Sequence, residues 1–179
     1  MEAQIQANLD VERPLANTYW VVPGRVLAGE HPAGGDPAES RARLARMLEA
    51  GIDFFIDLTE KGEMPAYRHL LPKGTQYLRS PIVDTRVPNN VAQTREILAS
   101  IKAGMDGGSG LYVHCRAGIG RTGLIIGCFL ADQEANGASA LKILNRLWRQ
   151  SDRAKTWPTV PQTAEQADYI RHWPILGKL

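Results

Sequence analysis

The sequence predicts an α/β fold in which a central, mostly parallel sheet of four or five strands is flanked by helices on both sides. Short apolar runs, such as 52–58 and 111–113, have the length and the β-branched and aromatic content of buried strands. Longer stretches with apolar residues at helical spacing alternate with these runs and dominate late in the chain. No internal repeat or low-complexity linker interrupts this order.

The first third of the chain predicts a hairpin, a helix and a buried strand. Two apolar runs at 19–22 and 25–28 are separated by a Pro-Gly pair, which favours a hairpin. Asp36 is followed directly by proline, a pattern typical of a helix start, and Gly51 predicts the end of that helix. Residues 52–58 then form the clearest buried strand.

The middle of the chain predicts a strand, a loop and a second helix. Residues 76–80 favour a strand, and the two prolines within 81–90 favour a loop. Asn89 or Asn90 then caps a helix that Gly104 ends.

The last third is mostly helical. After the strand at 111–113 and a glycine-rich loop, the apolar stretch 124–131 predicts a buried helix. Asn136-Gly137 predicts a turn. The remaining predicted segments are a helix ending near Trp148, a basic loop at 149–160 and a last helix opened by Pro161.

Composition indicates one globular domain. The 179 residues are 44% hydrophobic, and we place a partly ordered lead-in at 1–18 and a single domain at 19–179. With 21 basic and 19 acidic residues the formal net charge is +2, so we expect neither nucleic acid nor a membrane as a partner. The start of the chain lacks the features of a secretory signal, and no apolar run reaches transmembrane length. The sequence carries no indication of an oligomeric state.

The two cysteines are expected to be free thiols. Cys128 lies in the helix predicted after the glycine-rich loop, roughly 9 Å along the helix axis from its start. A disulfide needs Cα atoms within roughly 7 Å of each other, so a bridge to Cys115 would be strained. Free thiols are typical of a reducing compartment, which predicts a cytoplasmic protein, and Cys128 is expected to be a core residue.

The segment between the predicted strand at 111–113 and the next helix favours an anion-binding loop. Gly118 and Gly120 let the backbone turn back on itself, so that successive N–H groups and the helix dipole face one point. Cys115 lies where those N–H groups would stabilise a thiolate. Arg121 offers a planar fork that suits two phosphate oxygens.

Residues 114–122, His-Cys-Arg-Ala-Gly-Ile-Gly-Arg-Thr, resemble the HCxxGxxRT signature of the cysteine-dependent protein tyrosine phosphatase superfamily. The chain is too short for the larger tyrosine-specific domains and is more similar to the compact dual-specificity type. Weaker resemblance to compact members spans most of 19–173. The resemblance implies a three-layer α/β phosphatase fold with this signature loop (residues 114–122) at the carboxyl end of a central strand.

The resemblance implies a role for each residue of the signature loop. Cys115 would be the nucleophile that forms a cysteinyl-phosphate intermediate. Arg121 would bind two phosphoryl oxygens, and the substrate-binding set would be Arg116, Ala117, Gly118, Ile119, Gly120 and Arg121. Thr122 would hydrogen-bond the Cys115 sulfur and help it leave, whereas His114 would order the loop as structural support. No metal or other cofactor is implied, and the four histidines show no metal-ligand spacing.

An upstream aspartate is expected to protonate the leaving oxygen. Asp84 lies in residues 81–88, which we name the acid loop, between a predicted strand and a predicted helix, and its position resembles that of the acid in compact dual-specificity phosphatases. Asp57, at the end of a strand, is the alternative. Asp106 lies beside glycines and fits a turn better.

Gln162-Thr-Ala-Glu-Gln166 resembles the late glutamine motif of the family. Two glutamines at i and i+4 share one face of a helix. One of them would place the hydrolytic water, and the resemblance favours Gln166.

The same comparison predicts the substrate class. Phosphoinositide-selective relatives carry a lysine where this chain has Ile119, and Arg116 adds a single positive charge. A phosphotyrosine or phosphoserine/threonine monoester on a protein is therefore favoured. The alternatives are a catalytically silent module that binds phosphoproteins, and a phosphatase that acts on a lipid or on an RNA 5′ end.

Overall fold

The structure is a computed structural model that describes residues 11–178. The strands are β1 (Thr18–Val22), β2 (Val26–Gly29), β3 (Ile52–Asp57), β4 (Gln76–Arg79) and β5 (Gly110–His114). The helices are α1 (Pro37–Glu49), α2 (Val91–Asp106), α3 (Gly120–Glu134), α4 (Gly137–Trp148) and α5 (Ala164–Leu176). Short 3₁₀ helices lie at Arg68–Leu70 and Asp152–Lys155.

The five strands form one sheet in the order β1-β2-β5-β3-β4. β1 pairs antiparallel with β2, and the other three pairings are parallel. The predicted α/β class is therefore confirmed, with five strands in the sheet. Gly29 and Asp57 both align with His114, and Asp57 also aligns with Arg79. The carboxyl ends of four parallel strands thus meet where the signature loop begins, which is the usual ligand edge of an open α/β sheet.

Side chains alternate across the sheet and separate two cores. In β5, Leu111 and Val113 face the larger core, which lies against α2, α3, α4 and α5. Tyr112 faces the smaller core, where Leu44 and Met47 of α1 cover the opposite side of the sheet. Helices therefore lie on both sides, as predicted. α3 is apolar around most of its circumference because it lies between the sheet and the neighbouring helices.

Side-chain caps fix where four of the helices begin. Asp36 caps α1 and Asn90, rather than Asn89, caps α2. Asn136 accepts the Ser139 N–H and so caps α4. The predicted turn at 136–137 is present but lies one residue earlier, at 135–136, because Gly137 is already helical.

The last helix begins at Ala164, so the prediction that Pro161 opens it is wrong. The Thr163 hydroxyl accepts the Gln166 N–H at 3.2 Å, and the Gln166 side chain accepts the Thr163 N–H at 3.2 Å. This reciprocal capping box satisfies two donors that a helix start otherwise leaves unpaired, and it sets the boundary after Thr163.

The predicted end of α2 at Gly104 is also wrong, because the helix continues to Asp106. A Cβ at Gly104 would lie 2.9 Å from a Leu111 side-chain atom and 3.0 Å from one of Phe54. The glycine therefore serves the close approach of α2 to β3 and β5, and Gly107 provides the helix end.

Gly110, the first residue of β5, pairs with Ile52 and lies against the backbone at the start of β3. A Cβ there would meet the Gly51 carbonyl oxygen at 2.1 Å and its carbon at 2.9 Å. Because backbone rather than a flexible side chain is in the way, Gly110→Ala is expected to lower the free energy of unfolding by about 1–3 kcal/mol. Urea unfolding followed by tryptophan fluorescence measures this change. Gly35→Ala is the control, because its nearest neighbour is the exposed Glu39 side chain at 3.3 Å; equal losses in both variants would contradict the prediction.

The segment before β1 packs on the domain. The Trp20 indole donates to the Glu12 carbonyl at 2.9 Å, and Leu15 is buried in the smaller core. The predicted lead-in at 1–18 includes residues 1–10, which lie outside the described residues, so its boundary stays a prediction. None of the helices within residues 11–178 is both long and apolar enough to cross a bilayer.

Candidate active site

The signature loop joins β5 to α3. Cys115 directly follows β5 and is buried, and Gly120 is the first residue of α3. The sulfur therefore belongs to the loop that ends at a helix N-terminus, where unpaired N–H groups and the helix dipole favour an anion. The structure thus confirms the predicted strand-loop-helix arrangement.

Gly118 makes the tight course of this loop possible. Its φ of +76° is in the region that residues with a Cβ rarely adopt. A Cβ would also meet the Gly29 carbonyl carbon at 2.5 Å and the Glu30 nitrogen at 2.8 Å. The loop is therefore seated directly on the end of β2, and the Arg116 carbonyl accepts the His31 N–H at 3.0 Å.

Arg121 is the charged centre of the site, although its side chain is only 1% exposed. Its Nη1 donates to Glu63 Oε2 at 2.7 Å and to the Ile82 carbonyl at 3.1 Å. Its Nη2 lies 2.5 Å from Glu63 Oε1 and 3.1 Å from Asp84 Oδ1. Its Nε is buried without a hydrogen-bond partner among residues 11–178. One edge of the guanidinium is thus held by carboxylates, while the buried Nε–H is an unpaired donor.

Glu63 is a site residue that the sequence analysis did not single out. It lies in the turn after β3, where its N–H donates to the Glu60 carbonyl and its carboxylate accepts the Glu60 N–H. The hydrogen bond from Arg121 is the largest of the effects that hold the pKa of Glu63 below its usual range. The one available signal was the weaker resemblance to compact phosphatases over most of 19–173, a range that includes this turn.

Asp84 is brought to Arg121 by the acid loop, as its predicted role requires. Its side chain is 52% exposed and reaches the guanidinium from the solvent side. The Asp84 carboxylate also accepts the Thr85 N–H at 3.0 Å, and Arg86 N–H closes the turn onto the Val83 carbonyl. The carboxylate is therefore both accessible and fixed next to the candidate phosphate-binding group.

Asp57, the alternative acid, is used elsewhere. It is fully buried and accepts hydrogen bonds from the Thr59 hydroxyl at 2.6 Å, the Tyr77 hydroxyl at 2.7 Å and the Arg79 guanidinium at 2.8 Å. Burial would raise the pKa of Asp57, but its electrostatic interaction with the adjacent His114 ring and these hydrogen bonds outweigh burial and leave the pKa well below its usual range. The structure thus makes Asp57 a support for the sheet edge. Asp106, the third aspartate considered, pairs with Lys102 at the end of α2.

A buried aromatic cluster supports the signature loop from below. His114 Nε2 lies 2.6 Å from the Tyr67 hydroxyl oxygen, and His114 Nδ1 lies 3.2 Å from the Cys115 carbonyl oxygen. His31 packs edge-on against both the His114 and Tyr67 rings. Burial lowers the pKa of His114 and lowers that of His31 to about 3, so both rings are neutral at physiological pH. The contacts fit the predicted structural role of His114.

The buried neutral histidines predict acid sensitivity of the fold. Because the folded state of His31 binds a proton only near pH 3 while an unfolded histidine does so near 6.5, stability is full above about pH 6.5 and is lost as the pH falls towards 3. His31→Asn keeps an acceptor for the Ala33 N–H but cannot titrate. We expect this variant to reduce the pH slope of the unfolding free energy between pH 6 and 4 by about 1.4 kcal/mol per pH unit. Urea titrations across this range measure the slope, and an unchanged slope would contradict the assignment.

The remaining predicted site residues take different positions. The Thr122 hydroxyl is buried and points to the Gly29 carbonyl at 3.4 Å. Gln162 is exposed, and a Cβ built on Gly120 would meet its Oε1 at 3.0 Å. Gln166 is fully buried, and both ends of its amide are engaged with Thr163 and the Arg86 carbonyl. Of the two glutamines, Gln162 is thus the one with a free approach to the mouth of the signature loop.

The loop residues between Cys115 and Arg121 differ in exposure. The Arg116 side chain is exposed, Ala117 is half-buried and Ile119 packs into the larger core. Arg116 is thus free to meet a substrate, while the other two shape the loop.

The second cysteine is separate from this site. Cys128 is fully buried in the larger core, where burial raises the pKa of its thiol well above the usual range. Both cysteines are free thiols. Within residues 11–178, no group of three or more histidine, cysteine, aspartate or glutamate side chains is arranged to hold a metal ion.

The described residues therefore converge on one arrangement. A thiol, a buried guanidinium whose Nε–H has no hydrogen-bond partner among residues 11–178, and an accessible carboxylate lie around the N-terminus of α3. Such a group can bind a tetrahedral anion, attack its central atom and exchange a proton with a leaving oxygen.

The chain matches the family model described as PTP-SAK, Swiss Army Knife protein, DSP-PTPase phosphatase domain, over residues 15–165. Among curated proteins it is 27% identical over 142 residues to protein 197R of Invertebrate iridescent virus 6, covering 78% of this chain and 48% of that protein. It is 38% identical over 103 residues to protein 067L of Invertebrate iridescent virus 3, covering 55% and 41% respectively. Both are named as candidate tyrosine phosphatases. The chain thus spans about half the length, or less, of these relatives.

Among solved structures, that of Tk-PTP in its active form superposes with a TM-score of 0.72 at 24% identity. The match covers 88% of this chain and 96% of that one. At this identity the superposition supports the fold.

Proposed function

Because this chain belongs to the family of Swiss Army Knife DSP-PTPase phosphatase domains, we propose that it hydrolyses phosphate monoesters through a cysteinyl-phosphate intermediate. The observation that carries the proposal is a buried, unpaired hydrogen-bond donor on Arg121. Arg121 belongs to the loop that holds Cys115, and its buried guanidinium is fixed by Glu63 and Asp84. Its Nε–H nevertheless has no hydrogen-bond partner within the described chain. A buried, unpaired charged donor is costly, and a bound phosphate would satisfy it.

The first chemical step transfers the phosphoryl group to sulfur. The phosphate binds to the N–H groups of the signature loop and to the Nε and Nη2 of Arg121. The Cys115 thiolate attacks phosphorus, a P–S bond forms and the P–O bond to the leaving group breaks. The phosphate displaces Asp84 from Arg121, and Asp84 acts as the general acid that gives a proton to the leaving oxygen. Arg121 and the N–H groups stabilise the equatorial oxygens in the transition state.

The second step hydrolyses the cysteinyl-phosphate intermediate and regenerates the free enzyme. Water attacks phosphorus, Asp84 accepts its proton, and the P–S bond breaks to release inorganic phosphate and the thiolate. We assign the placement of this water to Gln162 in preference to Gln166, because Gln162 is exposed beside Gly120 whereas the Gln166 amide is occupied. Thr122 remains the proposed aid to the leaving sulfur, which requires its hydroxyl to turn from Gly29 towards Cys115.

A phosphorylated protein is the proposed substrate. The exposed Arg116 supplies one positive charge at the mouth, which suits a single phosphomonoester in a peptide. The viral relatives are named for tyrosine phosphatase activity, which supports phosphotyrosine, with phosphoserine or phosphothreonine as the second class to be compared. Two free cysteines fit a reducing, cytoplasmic location.

Asp84→Asn tests the acid assignment. With phenyl phosphate, a poor leaving group, we expect kcat/KM to fall by about 10²- to 10⁴-fold because the amide cannot protonate the departing oxygen. The assay is phosphate release without added metal. Asp106→Asn is the matched control, since that carboxylate pairs with Lys102 on α2. An unchanged rate in Asp84→Asn would reject the acid but not the nucleophile.

Phosphopeptide panels complete the test. Turnover of phosphotyrosine peptides supports the proposal, and the ratio to phosphoserine peptides measures the preference. Binding of a phosphopeptide by the wild-type chain without turnover would instead identify a silent binding module.

A further inference from the structure

Gln166 lies where three functional elements meet. It is fully buried at the third position of α5. Its Nε2 donates to the Arg86 carbonyl of the acid loop at 3.1 Å and would lie 3.2 Å from a Cβ on Gly120 at the start of α3. Its Oε1 accepts the Thr163 N–H at 3.2 Å. One amide therefore ties the acid loop to α5 and packs both against the end of the signature loop.

The acid loop needs such a tie because its backbone is strained. Thr85, which follows Asp84, has a φ of +65°, an unusual value for a β-branched residue. Strain of this kind persists only where surrounding contacts impose it. Local bonds impose part of it, since the Thr85 N–H and hydroxyl bond to the Asp84 carboxylate and carbonyl. From outside the loop, Gln93 donates to the Pro81 carbonyl at 2.8 Å and Arg121 to the Ile82 carbonyl at 3.1 Å, and both bonds hold the part before Asp84. After Asp84, Gln166 donates to the Arg86 carbonyl at 3.1 Å, whereas the Thr163 hydroxyl reaches the Thr85 carbonyl only at 3.5 Å.

We propose that Gln166 is a positioning residue for the general acid, holding the strained acid loop so that Asp84 faces the phosphate site. This inference rests on the proposed phosphatase activity and assigns Gln166 to the first chemical step, not to the placement of water in the second. Few residues separate Gln166 from the site. Arg86, whose carbonyl accepts the Gln166 bond, is two residues from Asp84, and Asp84 lies 3.1 Å from Arg121. A displacement of the loop by about 1 Å would misalign the proton donor and cost up to about 10²-fold in rate.

The two ends of the Gln166 amide make different hydrogen bonds, so one substitution can remove a single bond and another can remove both. Gln166→Glu keeps an oxygen for the capping box, since glutamate is a normal residue at that position, but a carboxylate cannot donate to the Arg86 carbonyl. Gln166→Met keeps the length of the side chain, avoids a buried charge and removes both bonds. Asn136→Ala is the matched control, because it removes the cap of α4 and a similar amount of stability away from the acid loop.

The first experiment measures kcat/KM with aryl phosphates whose leaving phenols range from strongly acidic to phenol itself. An acidic phenol departs without help, so a defect in proton donation appears only with poor leaving groups. We expect both Gln166 variants to slow phenyl phosphate about ten- to hundredfold and the most acidic substrate less than about threefold. Asp84→Asn combined with Gln166→Met should be no slower than Asp84→Asn alone. A change confined to kcat, with kcat/KM intact, or an additive double variant, would overturn the proposal.

The second experiment does not depend on turnover. Hydrogen exchange of the Thr85 and Arg86 amides is expected to accelerate in both Gln166 variants and to stay unchanged in Asn136→Ala. Unchanged exchange at these amides would show that Gln166 does not hold the acid loop, and would reject the proposal even if activity falls. If the wild-type protein hydrolyses no aryl phosphate, the proposed function fails, while the exchange result still decides whether Gln166 positions the loop.

Discussion

Replacing Cys115 by serine is expected to lower phosphoester hydrolysis by at least about 10⁴-fold while leaving the fold intact. A hydroxyl remains protonated at neutral pH, so the same cradle would no longer hold a nucleophilic anion. The substitution changes one buried atom, and the surrounding N–H groups, Arg121 and Glu63 stay in place. We therefore expect the variant to bind phosphopeptides without turning them over.

Cys128→Ala separates this effect from a general effect of losing a thiol. Cys128 is buried in the larger core, away from the signature loop, so its loss is expected to lower stability but to preserve kcat/KM per folded molecule. Activity is measured as phosphate release, and the intermediate is sought by rapid quenching and mass spectrometry. Full activity in Cys115→Ser, or a phosphorylated intermediate at another residue, would contradict the mechanism.

Arg121→Lys is expected to lower kcat/KM by about 10²- to 10³-fold although the charge is preserved. Lysine has no planar fork, so it cannot bind Glu63 at one edge and leave a second donor for phosphate at the other. Both binding of inorganic phosphate and the rate should therefore fall.

The control for Arg121→Lys makes the same exchange at an exposed ion pair. Arg171 pairs with Asp168 on the surface of α5, and Arg171→Lys should change neither phosphate affinity nor kcat/KM beyond about twofold. Inhibition by inorganic phosphate and aryl phosphate kinetics provide the two readouts. Retention of full rate and affinity in Arg121→Lys would show that charge alone suffices, and would reject the bidentate model.

The candidate site was predictable where neighbours in sequence carry the chemistry. Cys115, Gly118 and Arg121 belong to one short loop whose ends are marked by an apolar strand and an apolar helix. Asp84 could be chosen because its loop lies between a strand and a helix. The helix starts at Asp36 and Asn90 follow from side chains that bond backbone N–H groups two or three residues away.

The predictions that failed are those in which a local signal competes with packing. Gly104 carries the signal of a helix end but serves the close contact between α2 and the sheet. Pro161 carries the signal of a helix start, yet the capping box at Thr163 sets the boundary. In both cases the decisive contact comes from the geometry that the assembled elements adopt.

The sequence by itself determined the α/β class, the signature loop and the residue types that its chemistry requires, because alternation, turn residues and motif spacing are properties of adjacent positions. Only the tertiary structure decided that Glu63 holds Arg121 across 58 residues and that Asp57 is buried while Asp84 is accessible. It likewise decided that Gln166 bonds to the acid loop across 80 residues. The physical reason is that these contacts depend on β5 lying between β2 and β3 and on α5 packing beside α3, arrangements that no short stretch of the chain specifies.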